Sequence, residues 1–109
     1  MDPRLPRLVR LAELVEARDT AALAELAAEA RTIEAEIARL RDTSPPSEPE
    51  AFMLGGHGAL WDSWRQRELA RLNRALADLR ARQEPLREKA ARATARAQVL
   101  NRLAGTDRA

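Results

Sequence analysis

The sequence predicts an all-α protein, an antiparallel two-helix coiled-coil hairpin. Three observations carry that prediction. Two long stretches repeat apolar residues at alternating three- and four-residue steps, the spacing of a narrow helical seam. A segment rich in proline and glycine separates them. The composition is that of long helices, with 33% charged and only 3% aromatic residues, too few aromatics for an ordinary globular core. A narrow seam cannot close a core by itself, so each stretch must zip onto another helix, and at 109 residues the chain forms one domain.

The first helix is predicted over 5–41. Its seam is Leu8, Ala12, Val15, Ala22, Leu26, Ala30, Ile33, Ile37 and Leu40. The two four-residue steps from Ala22 to Ala30 form a stutter that locally unwinds a left-handed supercoil. Asp19 occupies a seam position and marks a weak point. Pro3 and Pro6 lie at the start, where a missing N–H costs little.

The connection is predicted over 42–58. Thr43-Ser44-Pro45-Pro46 cannot continue a helix. Ser47 through Glu50 fits a capping box, opening a short helical turn near 48–54 that contains Phe52, Met53 and Leu54. Gly55-Gly56-His57-Gly58 ends that turn and supplies flexibility.

The second helix is predicted over 59–104. Its seam runs Leu69, Leu72, Leu76, Leu79, Gln83, Leu86, Ala90, Ala93, Ala97, Leu100 and Ala104, about five heptads with one polar interruption. Gly105 is expected to stop it as a C′ residue. Pro85 removes a backbone hydrogen bond and is expected to kink the helix near Ala81–Gln83. At 1.5 Å per residue the helices would span about 55 and about 69 Å, a rod. The seams fit when facing residue numbers sum to about 104, which sets large side chains against small ones. Leu8 and Val15 then meet Ala90, Ala93 and Ala97; Ala30 meets Leu72 and Leu76; Leu40 meets Trp64; and Asp19 falls near Gln83–Pro85. The same seam could instead close between two chains, giving a homodimeric four-helix bundle.

Charge divides unevenly along the chain. Residues 1–54 hold seven Arg against eleven acids; residues 55–109 hold eleven Arg and Lys89 against six. Halves of opposite sign attract each other, and this plain reading competes with a basic surface for nucleic acid. The second helix carries Arg71, Arg74, Arg80, Arg82, Arg87, Lys89, Arg92, Arg96 and Arg102. No aromatics are interleaved for base stacking, so nucleic acid would bind weakly and in a salt-dependent way.

Chemistry is excluded in several forms. There is no cysteine, hence no disulfide, thiolate metal site or thiol nucleophile. His57 is the single histidine and has no partner ligands at metal-binding spacing. The glycines around it lack the spacing of a phosphate loop. The carboxylates sit three or four residues from arginines, as on any solvated helix face. The expectation is therefore a protein without catalytic residues, cofactor or metal. No stretch approaches the length of a membrane span and no leader is evident, which makes the cytoplasm the expected compartment. Eighteen arginines against one lysine, with abundant alanine, suggest a GC-rich bacterial genome.

Trp61 and Trp64, three residues apart, share a helix face. They either plug the hairpin tip, or, with Phe52, Met53 and Leu54, form a docking surface of the residue types that anchor protein interfaces. Trp64 inside and Trp61 partly outside would satisfy both readings.

The stretches Leu5-Pro6-Arg7-Leu8-Val9-Arg10-Leu11-Ala12-Glu13-Leu14 and Leu60-Trp61-Asp62-Ser63-Trp64-Arg65-Gln66-Arg67-Glu68-Leu69-Ala70-Arg71-Leu72-Asn73 resemble the opening helix and the tip of the second helix in the FliJ/YscO-like stalk proteins of bacterial type III export. The resemblance implies a non-enzymatic hairpin that enters or underlies a hexameric export ATPase ring, contacts the export gate or escorts chaperones. It places the chain in the cytoplasm, or peripherally at the inner membrane through an export complex. The chain departs from that family in being shorter, in its 43–58 segment and in Pro85. The residues proposed to meet the partner are Phe52, Met53, Leu54, Trp61, Trp64, Arg71 and Arg74. The alternatives are a coiled-coil adaptor or scaffold outside export, a weak Arg-rich nucleic-acid binder, or a secreted hairpin of the WXG type. The last lacks support because Trp61 is followed by Asp62-Ser63 rather than by a glycine.

Overall fold

A computed structural model describes residues 2–43 and 56–108. The protein is all-α. Helix α1 spans Leu5–Asp42 and helix α2 spans His57–Arg108, 38 and 52 residues. The predicted helical turn at 48–54, with Phe52, Met53 and Leu54, lies outside the described residues.

Each helix end has a local cause. Asp2 caps α1: its Oδ1 accepts the Arg4 N–H at 2.9 Å, and its carbonyl accepts the Leu5 N–H at 3.2 Å. Pro3 follows it at the first position, where no N–H is needed. At the other end the Thr43 hydroxyl donates to the Arg39 carbonyl at 2.6 Å, and Arg39 and Arg41 place positive charge in the last turn. Gly56 leads into α2 with φ of 80°, a left-handed conformation that favours glycine.

Two expected boundaries move. His57 and Gly58 belong to α2 rather than to the connection, and left-handed Gly56 stands directly before the first helical residue. Gly105 does not end α2, which continues to Arg108. Gly105 has ordinary helical φ, and the Thr106 hydroxyl bonds the Arg102 carbonyl at 3.0 Å. α2 also runs on through Pro85.

Contacts divide the chain into two units. Unit 1 joins residues 1–28 to 81–109; unit 2 is 29–80. In each, α1 and α2 are antiparallel. Residues of a two-helix hairpin touch only their counterparts at the same level, so its contacts are local along the chain.

In unit 1 the core is small: Ala12 and Leu26 on α1 face a row of buried alanines, Ala90, Ala93, Ala97 and Ala104. Asp19 and Gln83 are buried with them. In unit 2 the buried side chains are larger, with Ala30 and Ile37 against Leu72, Leu76 and Leu79. Val15, Ala22, Ile33, Leu40, Leu69, Leu86 and Leu100 are half-buried at their seam positions. Leu8 departs from the expected seam and is 47% exposed, because the alanines near it are too short to cover it.

The register differs from expectation by about one helical turn. The side-chain contacts that cross between the helices, Arg65 to Arg41, Lys89 to Asp19, Arg80 to Glu34 and Asn101 to Glu13, join residue numbers that add to between 106 and 114. Asp19 consequently sits beside Lys89, with Nζ to Oδ1 at 3.8 Å, and not near Gln83–Pro85. A slip of four residues lays one seam on another with the same residues buried, so apolar spacing alone does not separate the two registers. Charge does. In the observed register a buried carboxylate meets the chain's only lysine; in the other it would face Pro85.

Candidate functional site

The proposed partner-binding residues of α2 fall in unit 2. Trp64 is 46% exposed, whereas Trp61 is half-buried, so the two exchange the roles expected of them. The Arg65 guanidinium explains the difference. It lies 5.1 Å over the Trp61 ring and covers it. Its Nη1 donates to the Arg41 carbonyl at 3.5 Å, tying α2 to the last turn of α1, and its Nη2 stands 4.0 Å from Asp62. Nε of the same side chain is shielded from solvent without a partner. Trp61 is thus part of the fold at this level.

Trp64 borders a shallow groove with Leu40 and Leu72. Glu36, Glu68 and Arg71 complete its walls. Arg71 Nη2 donates to Glu68 Oε2 at 2.9 Å. That bond, with the attraction of its charge, holds the Glu68 carboxyl below its usual range, and the pairing with Glu68 raises Arg71 in turn, with a smaller contribution from Glu36. Arg71 is therefore already occupied by an intrahelical pair. Arg74 is exposed. Leu60, 67% exposed, precedes Trp64 by one turn and extends the apolar strip. Trp64, Leu40 and Arg71 thus share this groove, with Leu60 one turn before Trp64, while Arg65 lies over the Trp61 ring.

The nine cations of α2 named above, of the twelve it carries, do not form one face. At 100° per residue, Arg80, Arg87 and Arg102 lie on one side of the seam and the other six on the opposite side. Two of the nine reach across to α1: Arg80 to Glu34 at 3.2 Å and Lys89 to Asp19 at 3.8 Å. Arg87 pairs with Glu84 at 3.1 Å. In the Arg80–Glu34 and Lys89–Asp19 pairs the charge asymmetry of the halves is expressed as attraction between helices.

Reasoning from the seam overlooked a second apolar surface, in unit 1. Leu11, Leu14, Val99 and Leu103 are between 51% and 63% exposed. Their signal was present as leucines at 8, 11 and 14. Successive three-residue steps drift around the helix away from the seam and so leave it.

Among the described residues no helix is long and apolar enough to cross a membrane, and none of their His, Asp and Glu side chains gather in threes as metal ligands. His57 is exposed at the first position of α2. No family model, curated protein or solved structure matches the chain.

Proposed function

We propose that this chain is a non-enzymatic hairpin that works by docking onto other proteins, as a stalk or escort in a bacterial type III export apparatus. One observation carries the docking part: both units leave large apolar side chains exposed, and in unit 1 they surround a core made mostly of alanine. Leu60 and Trp64 are exposed in unit 2, and Leu8, Leu11, Leu14, Val99 and Leu103 in unit 1. Clustered exposed leucine and tryptophan on a soluble surface mark interaction sites, because their hydration is unfavourable until something covers them. The export part rests on the resemblance of residues 5–14 and 60–73 to the stalk family. Trp64 and Leu60, with Arg71 at the edge, are the contacts proposed for an export ATPase ring or gate subunit.

The test is direct. The protein is mixed with purified export ATPase and gate cytoplasmic domain, beside the Leu60→Ser/Trp64→Ser double variant. The export reading expects the intact chain to bind one of them and the variant to bind about tenfold or more weakly. If neither subunit binds the intact chain, the export assignment is wrong and the hairpin is an adaptor of another assembly.

A further inference from the structure

Unit 1 has two unlike flanks. On one, Asn101 Nδ2 lies 3.5 Å from Glu13 Oε1 and also donates to the Ala97 carbonyl at 2.9 Å, a polar closure. On the other, Leu8, Leu11 and Val15 of α1 and Ala93, Arg96 and Leu100 of α2 border an open groove of about 140 Å³, with Ala12 at its floor. Leu14 follows Leu11 by three residues, Leu103 follows Leu100 by three, and Val99 precedes Leu103 by four. Helical geometry carries Leu103 onto the same flank, whereas Leu14 and Val99, about 160° from their seams, lie toward the outer backs of the helices. Leu8, Leu11 and Leu103, three of the exposed large apolar residues of unit 1, stand on it. Singly scattered apolar residues need no explanation, but a contiguous set around a groove does.

The edges of this flank are cationic. Arg18, Lys89, Arg92 and Arg96 border the adjoining hollow with Asp19, and Asp19 is already shared between Arg18 at 3.1 Å and Lys89 at 3.8 Å. Arg92 and Arg96 remain along one edge. Arg7 stands one turn before Leu11 along the other.

Shape and charge together select the occupant. A second copy presenting the same flank would set arginine against arginine. A lipid surface is flat on this scale and leaves a concave groove with an alanine floor unfilled. A helix laid along the groove drives a ridge of side chains into it. We propose that this flank is the docking site for an amphipathic helix of a partner protein. An apolar ridge on that helix enters between Leu11 and Leu100, and Asp or Glu on its two edges pair with Arg92 and Arg96 and with Arg7. The site lies in the other unit from Leu60 and Trp64 and does not depend on the export reading.

A display library of randomised helical peptides, selected on the full-length protein, tests this. Affinities are then compared on Leu11→Ser/Leu103→Ser and Arg92→Glu/Arg96→Glu variants. Leu11 and Leu103 are half-exposed, so circular dichroism of the first variant should match the parent. The expected winners carry apolar residues three and four apart flanked by Asp and Glu. Their dissociation constants should rise about tenfold or more on the leucine variant, and about threefold or more on the charge-reversed one, with the latter difference shrinking in high salt. Winners with basic edges, or with no charge preference, overturn the proposal. So do winners that bind the leucine variant as well as the parent. A dimer in sedimentation velocity that Leu11→Ser dissociates assigns the flank to a second copy instead. Binding to phosphatidylglycerol vesicles that Leu11→Ser abolishes, without peptide selection, assigns it to a lipid surface.

Discussion

Asp19 shows how one side chain can decide a fold that apolar spacing leaves open. Its carboxylate is 4% exposed, between Arg18 and Lys89, at a position the seam would otherwise give to an apolar residue. Drawing a charge into a seam costs desolvation that two largely exposed cations only partly return, while a polar residue at a seam position fixes register. Asp19→Leu should therefore stabilise the hairpin by about 1 kcal/mol, raising the melting temperature by about 4–8 °C in a circular dichroism melt. It should also loosen register. A melting temperature below that of the parent would mean that the ion pairs outweigh the burial cost. The buried alanines obey the opposite rule. Ala97, 3% exposed, has no room for growth, and Ala97→Leu should lose about 1–3 kcal/mol, read from the same melt.

Among the elements, α2 holds two residues that ordinarily disrupt helices, and both yield predictions. Gly105 is helical, with nothing within 4 Å of where a Cβ would stand. Gly105→Ala should stabilise by about 0.5–1 kcal/mol by restricting the unfolded chain. Were Gly105 a left-handed stop, the same substitution would destabilise, so the sign of the change in melting temperature reports directly on where α2 ends. Pro85 leaves the Ala81 carbonyl without its intrahelical donor, and Pro85→Ala should raise the melting temperature as well. The Glu68–Arg71 pair gives α2 a pH response. A carboxyl held below its usual range contributes stability that is present above the ordinary glutamate pKa of about 4.3 and is lost as pH falls through the depressed value. The effect is small because the pair is exposed. Glu68→Gln should flatten the acid limb of the melting-temperature profile slightly and leave the profile near neutrality unchanged in shape.

For the whole molecule, the register of α1 on α2 is the quantity with most consequence, because it sets which side chains line each groove. The absence of cysteine makes it measurable. Val15→Cys/Ala93→Cys should form a disulfide readily under mild oxidation, whereas Val15→Cys/Lys89→Cys, the pair of the register one turn away, should form it slowly. The Asp19→Leu background should narrow that difference. Equal rates in the parent would contradict the register described here.

Much of this protein was legible in its sequence. Helix spans and the identity of the seam follow from local spacing, since a residue at three- and four-residue steps returns to the same side of its own helix whatever the partner does. Ala12, Leu26, Ala30, Ile37, Leu72, Leu76, Leu79 and the later alanines are buried as that periodicity requires, and Asp19 and Gln83 are its polar interruptions. What the sequence could not decide is relational. Register depends on which of two equivalent overlays puts Lys89 beside Asp19. Trp61 is covered and Trp64 bare because Arg65 reaches over one ring to the Arg41 carbonyl. Leu11 and Leu103 become a surface only when two helices, at one register, bring their off-seam residues to the same flank. Periodicity is a property of one helix and can be read from it; a groove belongs to two helices and exists only once their offset is set.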